Sequence, residues 1–187
     1  MDMLNSQTLG KLRDIRHLTG ARGIAASLVG AAVTAVCAQI GFHLPGNPIP
    51  VTMQVFAVVL CGLLLGSRLG ALAQLQYVLA GLAGAPVFFG FKSAALVAHT
   101  GGYIAAFIPA AFLVGLFVER SGNRSFAARC LAGLIGVGTI YAFGTAWLAV
   151  WMRDVSCVGR WLIGALPFVG FDIAKLVLAA KLSEDRN

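Results

Sequence analysis

The sequence is poor in charge. Only 11% of its 187 residues are Asp, Glu, Lys or Arg, whereas soluble domains carry about 25%. Because 59% of the residues are hydrophobic, a soluble globular domain of this length lacks the polar surface needed to cover its core. Disorder is excluded as well, since disordered chains are poor in apolar residues. The composition therefore predicts an integral membrane protein surrounded by lipid.

The sequence also lacks the motifs of several common activities. It contains no GxxxxGK[ST] phosphate loop, no HExxH zinc motif and no GxSxG nucleophile elbow. Its four cysteines form no CxxC pair, which favours packed apolar residues over disulfides or metal ligands. The net charge of +7 does not indicate nucleic acid, because the basic residues lie at the ends of apolar runs. These absences favour binding or transport over catalysis and predict neither a cofactor nor a nucleic-acid partner.

Six apolar stretches are candidates for membrane spans, each of which needs about 20 residues. They cover residues 24–42, 51–65, 69–83, 101–118, 126–152 and 161–181. The second and third nearly touch at 66–68, which predicts a tight helical hairpin. Residues 45–50, with three prolines, and 84–100, with Pro86 and Gly90, are not regular helix. Such segments survive at membrane depth only against protein or a wet cavity, so we expect both to cap a site.

The distribution of basic residues indicates the topology. If the N-terminus is cytoplasmic, the outer loops hold only Lys92, Arg153 and Arg160, Lys175 lies within a span, and the remaining basic residues are cytoplasmic. The sequence thus predicts an all-α protein with six transmembrane helices and both termini cytoplasmic. Residues 1–23 form a basic cytoplasmic segment, 24–182 the membrane domain and 183–187 a cytoplasmic tail.

The N-terminal segment has an alternative interpretation. A basic stretch, an apolar run and the small residues around Cys37 are also typical of a cleavable secretory signal. The length of the basic region and the regular spacing of small residues favour retention as the first helix.

Two ionisable residues lie inside the last span. Asp172 and Lys175 are spaced i, i+3 and therefore share a helix face. They form either a structural ion pair or a ligand site, in which Asp172 accepts and Lys175 donates hydrogen bonds. Because ionisable residues inside a membrane are functional by default, we favour the ligand site.

Small residues recur along the first span. Gly23, Ser27, Ala31 and Ala35 are spaced four apart, a pattern that lets another helix approach closely. The approaching helix belongs either to the same bundle or to another membrane protein.

Several motifs occur in the order of a known family. They are AQI at 38–40, LPGNPIPVTMQ at 44–54, GLLLGSRLGA at 62–71, GLAGAPVF at 81–88, TGGY at 100–103 and the segment from Pro167 through Asp172 to Lys175. On these motifs the sequence resembles the BioY family, the biotin-binding S components of energy-coupling factor (ECF) transporters. The resemblance covers most of residues 25–182.

The resemblance implies a fold and a set of partners. The chain would adopt the six-helix S-component fold in the bacterial cytoplasmic membrane and bind biotin from the outer side. It would deliver biotin together with a transmembrane coupling (T) protein and two ATPase subunits, and would itself be no enzyme. The small residues of the first helix would dock the coupling protein; they are Ser27, Ala31 and Ala35.

The resemblance also implies substrate-binding residues. Asp172 would accept a hydrogen bond from a ureido N–H of biotin, and Lys175 would donate one to the ureido carbonyl. The bicyclic ring would pack against Tyr103, Phe88 and Phe89, while Thr52 and Gln54 would close the first loop over the site. Lys92 is the candidate partner of the biotin carboxylate on electrostatic grounds, because it is the one basic residue between the third and fourth spans.

Other functions remain open from the sequence. The chain could be an S component for another vitamin, such as thiamine or riboflavin. From a different class, an intramembrane enzyme or an assembly chaperone is possible, although the sequence shows no catalytic constellation.

Overall fold

The computed structural model describes residues 20–93, 98–122 and 125–184. In chain order its elements are α1 (Ala21–Gln39), β1 (Gly41–His43), β2 (Pro50–Thr52), α2 (Gln54–Leu82), α3 (Gly101–Ser121), α4 (Phe126–Trp151), α5 (Cys157–Gly164), a 3-10 turn (Leu166–Phe168) and α6 (Val169–Glu184). The predicted N-terminal segment 1–23 and tail 183–187 lie largely outside these residues.

Five stretches of the described chain are long and apolar enough to cross a membrane. They are α1, α2, α3, α4 and the combined segment Cys157–Glu184. Helix is the structure expected of such stretches, because lipid offers no hydrogen-bond partner and a helix satisfies its backbone groups internally. The predicted helical membrane architecture is therefore confirmed.

Helix α2 turns back on itself at Gly66. This residue has φ 81° and ψ −175°, values outside the helical region and readily adopted only by glycine. Nε2 of Gln54 donates to the hydroxyl of Tyr77 at 2.7 Å, although a straight helix would separate these residues by roughly 34 Å. On α3, Glu119 accepts hydrogen bonds from the backbone N–H and the hydroxyl of Ser67, both at 2.7 Å. The predicted hairpin at 66–68 is confirmed, with a carboxylate capping its second arm.

The hairpin of α2 lies at the centre of the bundle. It packs against α1, α3 and α6, and α4 packs in turn against α3 and α6. The buried contact residues are mainly alanine, valine and glycine, whose small size allows helix backbones to approach closely in lipid.

The small residues of α1 face the inside of this bundle. Ser27 is 0% exposed and Ala31 9% exposed, while Ala35 is half-buried against the core. Between them, Gly30 lies against Ala73 of α2. The stripe therefore packs within the chain, while docking of Ser27, Ala31 and Ala35 to a coupling protein stays a prediction. The large apolar residues of α1 that face away from the bundle are Ile24, Leu28, Val29, Val33 and Val36.

The first loop is longer than predicted and contains a short two-stranded sheet. Strand β1 pairs antiparallel with β2, with Gly41 opposite Thr52 and His43 opposite Pro50. Consequently α1 ends at Gln39 and α2 begins at Gln54, so the predicted span limits at 42 and 51 are each wrong by three residues. Apolar character continues through both strands, and hydropathy alone does not separate an apolar strand from a helix end.

The last predicted span, 161–181, is not one helix. Helix α5 ends at Gly164, a 3-10 turn containing Pro167 follows, and α6 begins at Val169. A proline in a helix interior lacks the N–H donor and collides with the preceding turn. The break leaves Asp172 in the first turn of α6, where the partial positive charge of a helix N-terminus stabilises a carboxylate.

Candidate functional site

A cavity of about 480 Å³ opens where the two predicted capping segments meet α3, α4 and α6. All eight residues predicted to bind substrate line it. They are Thr52, Gln54, Phe88, Phe89, Lys92, Tyr103, Asp172 and Lys175. The sequence distributes them over more than 120 positions between Thr52 and Lys175, and the fold brings them to one cavity.

Asp172 and Lys175 form a buried ion pair on the cavity wall. Nζ of Lys175 lies 2.8 Å from Oδ1 of Asp172, and the two residues are 8% and 3% exposed. The second carboxylate oxygen, Oδ2, accepts a hydrogen bond from the hydroxyl of Tyr141 at 2.6 Å. A carboxylate with two donors keeps further lone pairs free, so Asp172 can still accept a hydrogen bond from a ligand in the cavity.

Thr52 and Gln54 form a second polar group on the cavity. The hydroxyl of Thr52 donates to Oε1 of Gln54 at 2.8 Å, and Nε2 of Gln54 donates to the hydroxyl of Tyr77 at 2.7 Å. The Tyr77 hydroxyl in turn donates to the carbonyl of Val87 at 3.3 Å. This chain of hydrogen bonds orients each side chain through its neighbour and links the first loop to the segment that follows α2.

Aromatic side chains form much of the apolar wall. Phe88 is 1% exposed and packs edge-on against Tyr77, with ring centroids 5.4 Å apart. Phe89 makes a similar contact with His43 at 5.4 Å. The hydroxyl of Tyr103 donates to the carbonyl of Gly164 at 2.8 Å, so it holds the end of α5 while its ring faces the cavity.

Lys92 lies on the exposed rim of the cavity. Its backbone pairs with that of Phe88 in an isolated antiparallel bridge, and in the described part of the chain its ammonium group forms no ion pair. The rim histidine His99 lies with Nε2 3.1 Å from the carbonyl of Pro48, a contact that joins the first loop to the start of α3. A cation at the opening is suited to attract an anionic group.

Tyr141 is a polar cavity residue that the sequence analysis did not predict. It lies in the middle of α4 among residues whose spacing suggests ordinary aromatic packing. The sequence feature that points to Tyr141 is its hydroxyl, because a tyrosine hydroxyl buried at membrane depth needs a hydrogen-bond partner. Apolar cavity residues that sequence reasoning also missed are Ile49, Val51, Phe107, Ile140 and Phe168.

The cavity is suited to an elongated ligand with chemically different ends. A buried acceptor and donor pair can hold a neutral head that has both N–H and C=O groups, aromatic walls can pack an apolar middle, and the rim cation can attract a negative tail. Among residues 20–93, 98–122 and 125–184, no three His, Cys, Asp or Glu side chains lie close enough to hold a metal ion. The arrangement is that of a binding site for a small organic molecule.

Comparison with solved structures reveals a close relative in fold. A crystal structure described as the S-component for biotin from an ECF-type ABC transporter superposes with a TM-score of 0.80. The match covers 90% of this chain and 93% of the other at 21% sequence identity. The two chains therefore share a fold.

Comparison of sequences gives closer relatives. The chain is 43% identical over 142 residues to "Biotin transporter BioY" of Thermotoga maritima, covering 75% of this chain and 82% of the relative. It is 41% identical over 155 residues to "Probable biotin transporter BioY" of Pyrococcus horikoshii, covering 82% and 88%. The sequence profile of the BioY family matches residues 7–186. This chain is therefore a member of the BioY family.

Proposed function

We propose that this protein is the substrate-binding S component for biotin uptake in an ECF-type transport system. The observation that carries the proposal is the cavity, in which a buried Asp172–Lys175 pair, aromatic walls and a rim lysine occur together in a BioY-family chain. Biotin has a neutral ureido ring, an apolar thiophane ring and a valerate carboxylate, and each part has a matching region of the cavity.

The ureido ring binds at the ion pair. Asp172 accepts a hydrogen bond from a ureido N–H, and Lys175 donates to the ureido carbonyl. Charged partners make such hydrogen bonds stronger than neutral ones, and the low exposure of both side chains keeps water from competing. Thr52 and Gln54 close the first loop over the bound ring.

The remaining parts of biotin extend towards the rim. The thiophane ring packs against Tyr103, Phe88 and Phe89, where burial of apolar surface contributes about 25 cal/mol per Å². The valerate carboxylate is attracted by Lys92. Because Lys92 is exposed, this attraction contributes less to affinity than the contacts of the ureido ring.

The membrane topology has six passes, with both termini in the cytoplasm of a bacterial cell and the cavity open to the outside. Two findings support this arrangement. The two arms of α2 fold back at Gly66 and act as separate passes, and basic residues are scarce in the outer loops. Residues 1–23 and 183–187 then lie in the cytoplasm, and 24–182 form the membrane domain.

Transport requires partner subunits. The sequence has no phosphate loop, so other subunits hydrolyse ATP. These are two ATPase subunits, which act through a transmembrane coupling protein. The chain described here supplies recognition of the substrate.

Isothermal titration of the detergent-purified protein with biotin tests the proposal. We expect binding tighter than micromolar, and we expect that excess thiamine or riboflavin does not displace labelled biotin. Absence of biotin binding would contradict the proposal, and displacement by another vitamin would assign the cavity to that vitamin. Formation of a chemically altered product by the isolated protein would favour an enzyme.

A further inference from the structure

The last residue of α1, Gln39, contacts the segment that follows α2. Its Nε2 donates to the carbonyl of Phe88 at 3.0 Å and to that of Val87 at 3.3 Å. Its Oε1 accepts from the backbone N–H of Phe91 at 3.2 Å. Both ends of this amide are therefore bound to the same short stretch of backbone, 48 to 52 residues further along the chain.

The stretch that Gln39 holds is a tight turn closed by two backbone hydrogen bonds. Phe88 N–H donates to the Lys92 carbonyl at 3.0 Å, and Lys92 N–H donates to the Phe88 carbonyl at 3.3 Å. Gly90 and Phe91 at its tip both have left-handed backbones, with φ 71° and 57°. A left-handed backbone is unfavourable for phenylalanine, so the turn needs support from outside itself, and the bond from Phe91 N–H to Gln39 supplies it.

This turn carries four of the cavity residues. Phe88, Phe89, Phe91 and Lys92 all lie within it and line the cavity. The Val87 carbonyl that precedes the turn accepts from Gln39 and also from Tyr77. The contacts of Gln39 and the hydrogen-bond chain from Thr52 through Gln54 and Tyr77 therefore end on the same backbone group.

We propose that Gln39 is a positioning residue for substrate binding. It is absent from the residues that line the cavity and acts through the turn, by holding Phe89 and Lys92 where the ligand meets them. This inference rests on the proposed function, since biotin is the ligand in its test.

The test measures biotin affinity and dissociation rate for Gln39→Leu. We expect affinity to fall about tenfold, because the lost hydrogen bonds are neutral and act on the ligand only through the turn, and we expect the fall to come mainly from faster dissociation. Gln39→Glu keeps the length and one acceptor but loses both donors, so it should weaken binding in the same direction and serves if the leucine variant does not fold.

The matched control is Gln74→Leu. Gln74 is another glutamine at the α1–α2 contact, fully buried, and its Nε2 donates to Thr34 at 3.2 Å, but it does not line the cavity. We expect Gln74→Leu to change the melting temperature and leave biotin affinity within twofold of the wild type.

A double-mutant cycle with Phe89→Ala separates positioning from general stability. If Gln39 acts by placing Phe89, the penalty of Phe89→Ala is smaller in the Gln39→Leu background than in the wild type. The inference is overturned if the losses of affinity caused by Gln39→Leu and Phe89→Ala multiply fully in the double variant. It is also overturned if Gln39→Leu leaves affinity and dissociation rate unchanged. Failure of the wild type to bind biotin would instead contradict the proposed function.

Discussion

The hydroxyl of Tyr141 on α4 donates to Oδ2 of Asp172 on α6 at 2.6 Å. Because Lys175 occupies Oδ1, the carboxylate is held from two directions and does not rotate freely. A carboxylate fixed in this way faces the cavity with its orientation already set before the ligand arrives, which reduces the entropy lost on binding.

Tyr141→Phe tests this arrangement. The variant keeps the ring and removes one hydrogen bond to a charged acceptor, so we expect biotin affinity to fall about tenfold. Tyr103→Phe is the matched control, since its hydroxyl donates to a neutral backbone carbonyl, and we expect a smaller loss. Titration of both purified variants decides the matter, and equal affinities for Tyr141→Phe and the wild type would contradict the role of Tyr141.

The Tyr141–Asp172 contact also shows what the sequence can and cannot predict about the site. Asp172 and Lys175 are visible because ionisable residues are rare and costly in a membrane span. Their mutual contact follows from the i, i+3 spacing alone. Tyr141 is 31 residues away from Asp172, and no local rule connects the two, so this partner emerges only from the packing of α4 against α6.

The same distinction applies to the fold. Gly66 and the prolines of 45–50 interrupt helices for reasons that lie in the local backbone, and their effects are predictable. By contrast, the direction in which the small residues of α1 face is not predictable from the local backbone. Periodicity groups Ser27 and Ala31 on one side of the helix, but which neighbour meets that side is decided by tertiary packing, and here it is α2.

Lys92→Ala tests the attraction between the rim cation and the biotin carboxylate. Because an exposed ion pair contributes about 0–1 kcal/mol, we expect biotin affinity to fall less than about fivefold. Added salt should weaken wild-type binding more than that of the variant. Affinity measured at low and high salt checks both points, and a loss of a hundredfold or more would show that the carboxylate is held in a desolvated pair instead.

Gly81→Ala tests the packing of the Phe88 ring against Gly81. A methyl group at position 81 would overlap the Phe88 ring, which is 1% exposed and lines the cavity, so the ring must move. We expect destabilisation of about 1–3 kcal/mol together with weaker biotin binding. Gly138→Ala is the control, because no atom of the described residues lies within 4 Å of the added methyl group, and it should leave both properties unchanged. Unaltered melting and binding in Gly81→Ala would contradict this packing.

Ala31→Trp tests the position of the α1 stripe. Ala31 is buried within the bundle, so a tryptophan there should prevent normal folding and reduce the yield of monodisperse protein. The neighbouring Ala32 is exposed, and Ala32→Trp should fold and bind biotin normally. Gel filtration and thermal melting compare the two variants. A well-folded Ala31→Trp protein would place the stripe on the outside of the chain.

The most direct test of the whole account is the biotin dissociation constant of Asp172→Asn beside that of the wild type. Asparagine keeps the shape of the side chain and an oxygen that accepts from Lys175, but it leaves the buried ammonium without a charged partner, so the melting temperature should also fall. It removes the charged acceptor of the ureido N–H, and we predict a loss of affinity of about 10- to 100-fold. Equal affinity in the two proteins would assign the Asp172–Lys175 pair to structure and contradict the proposed site.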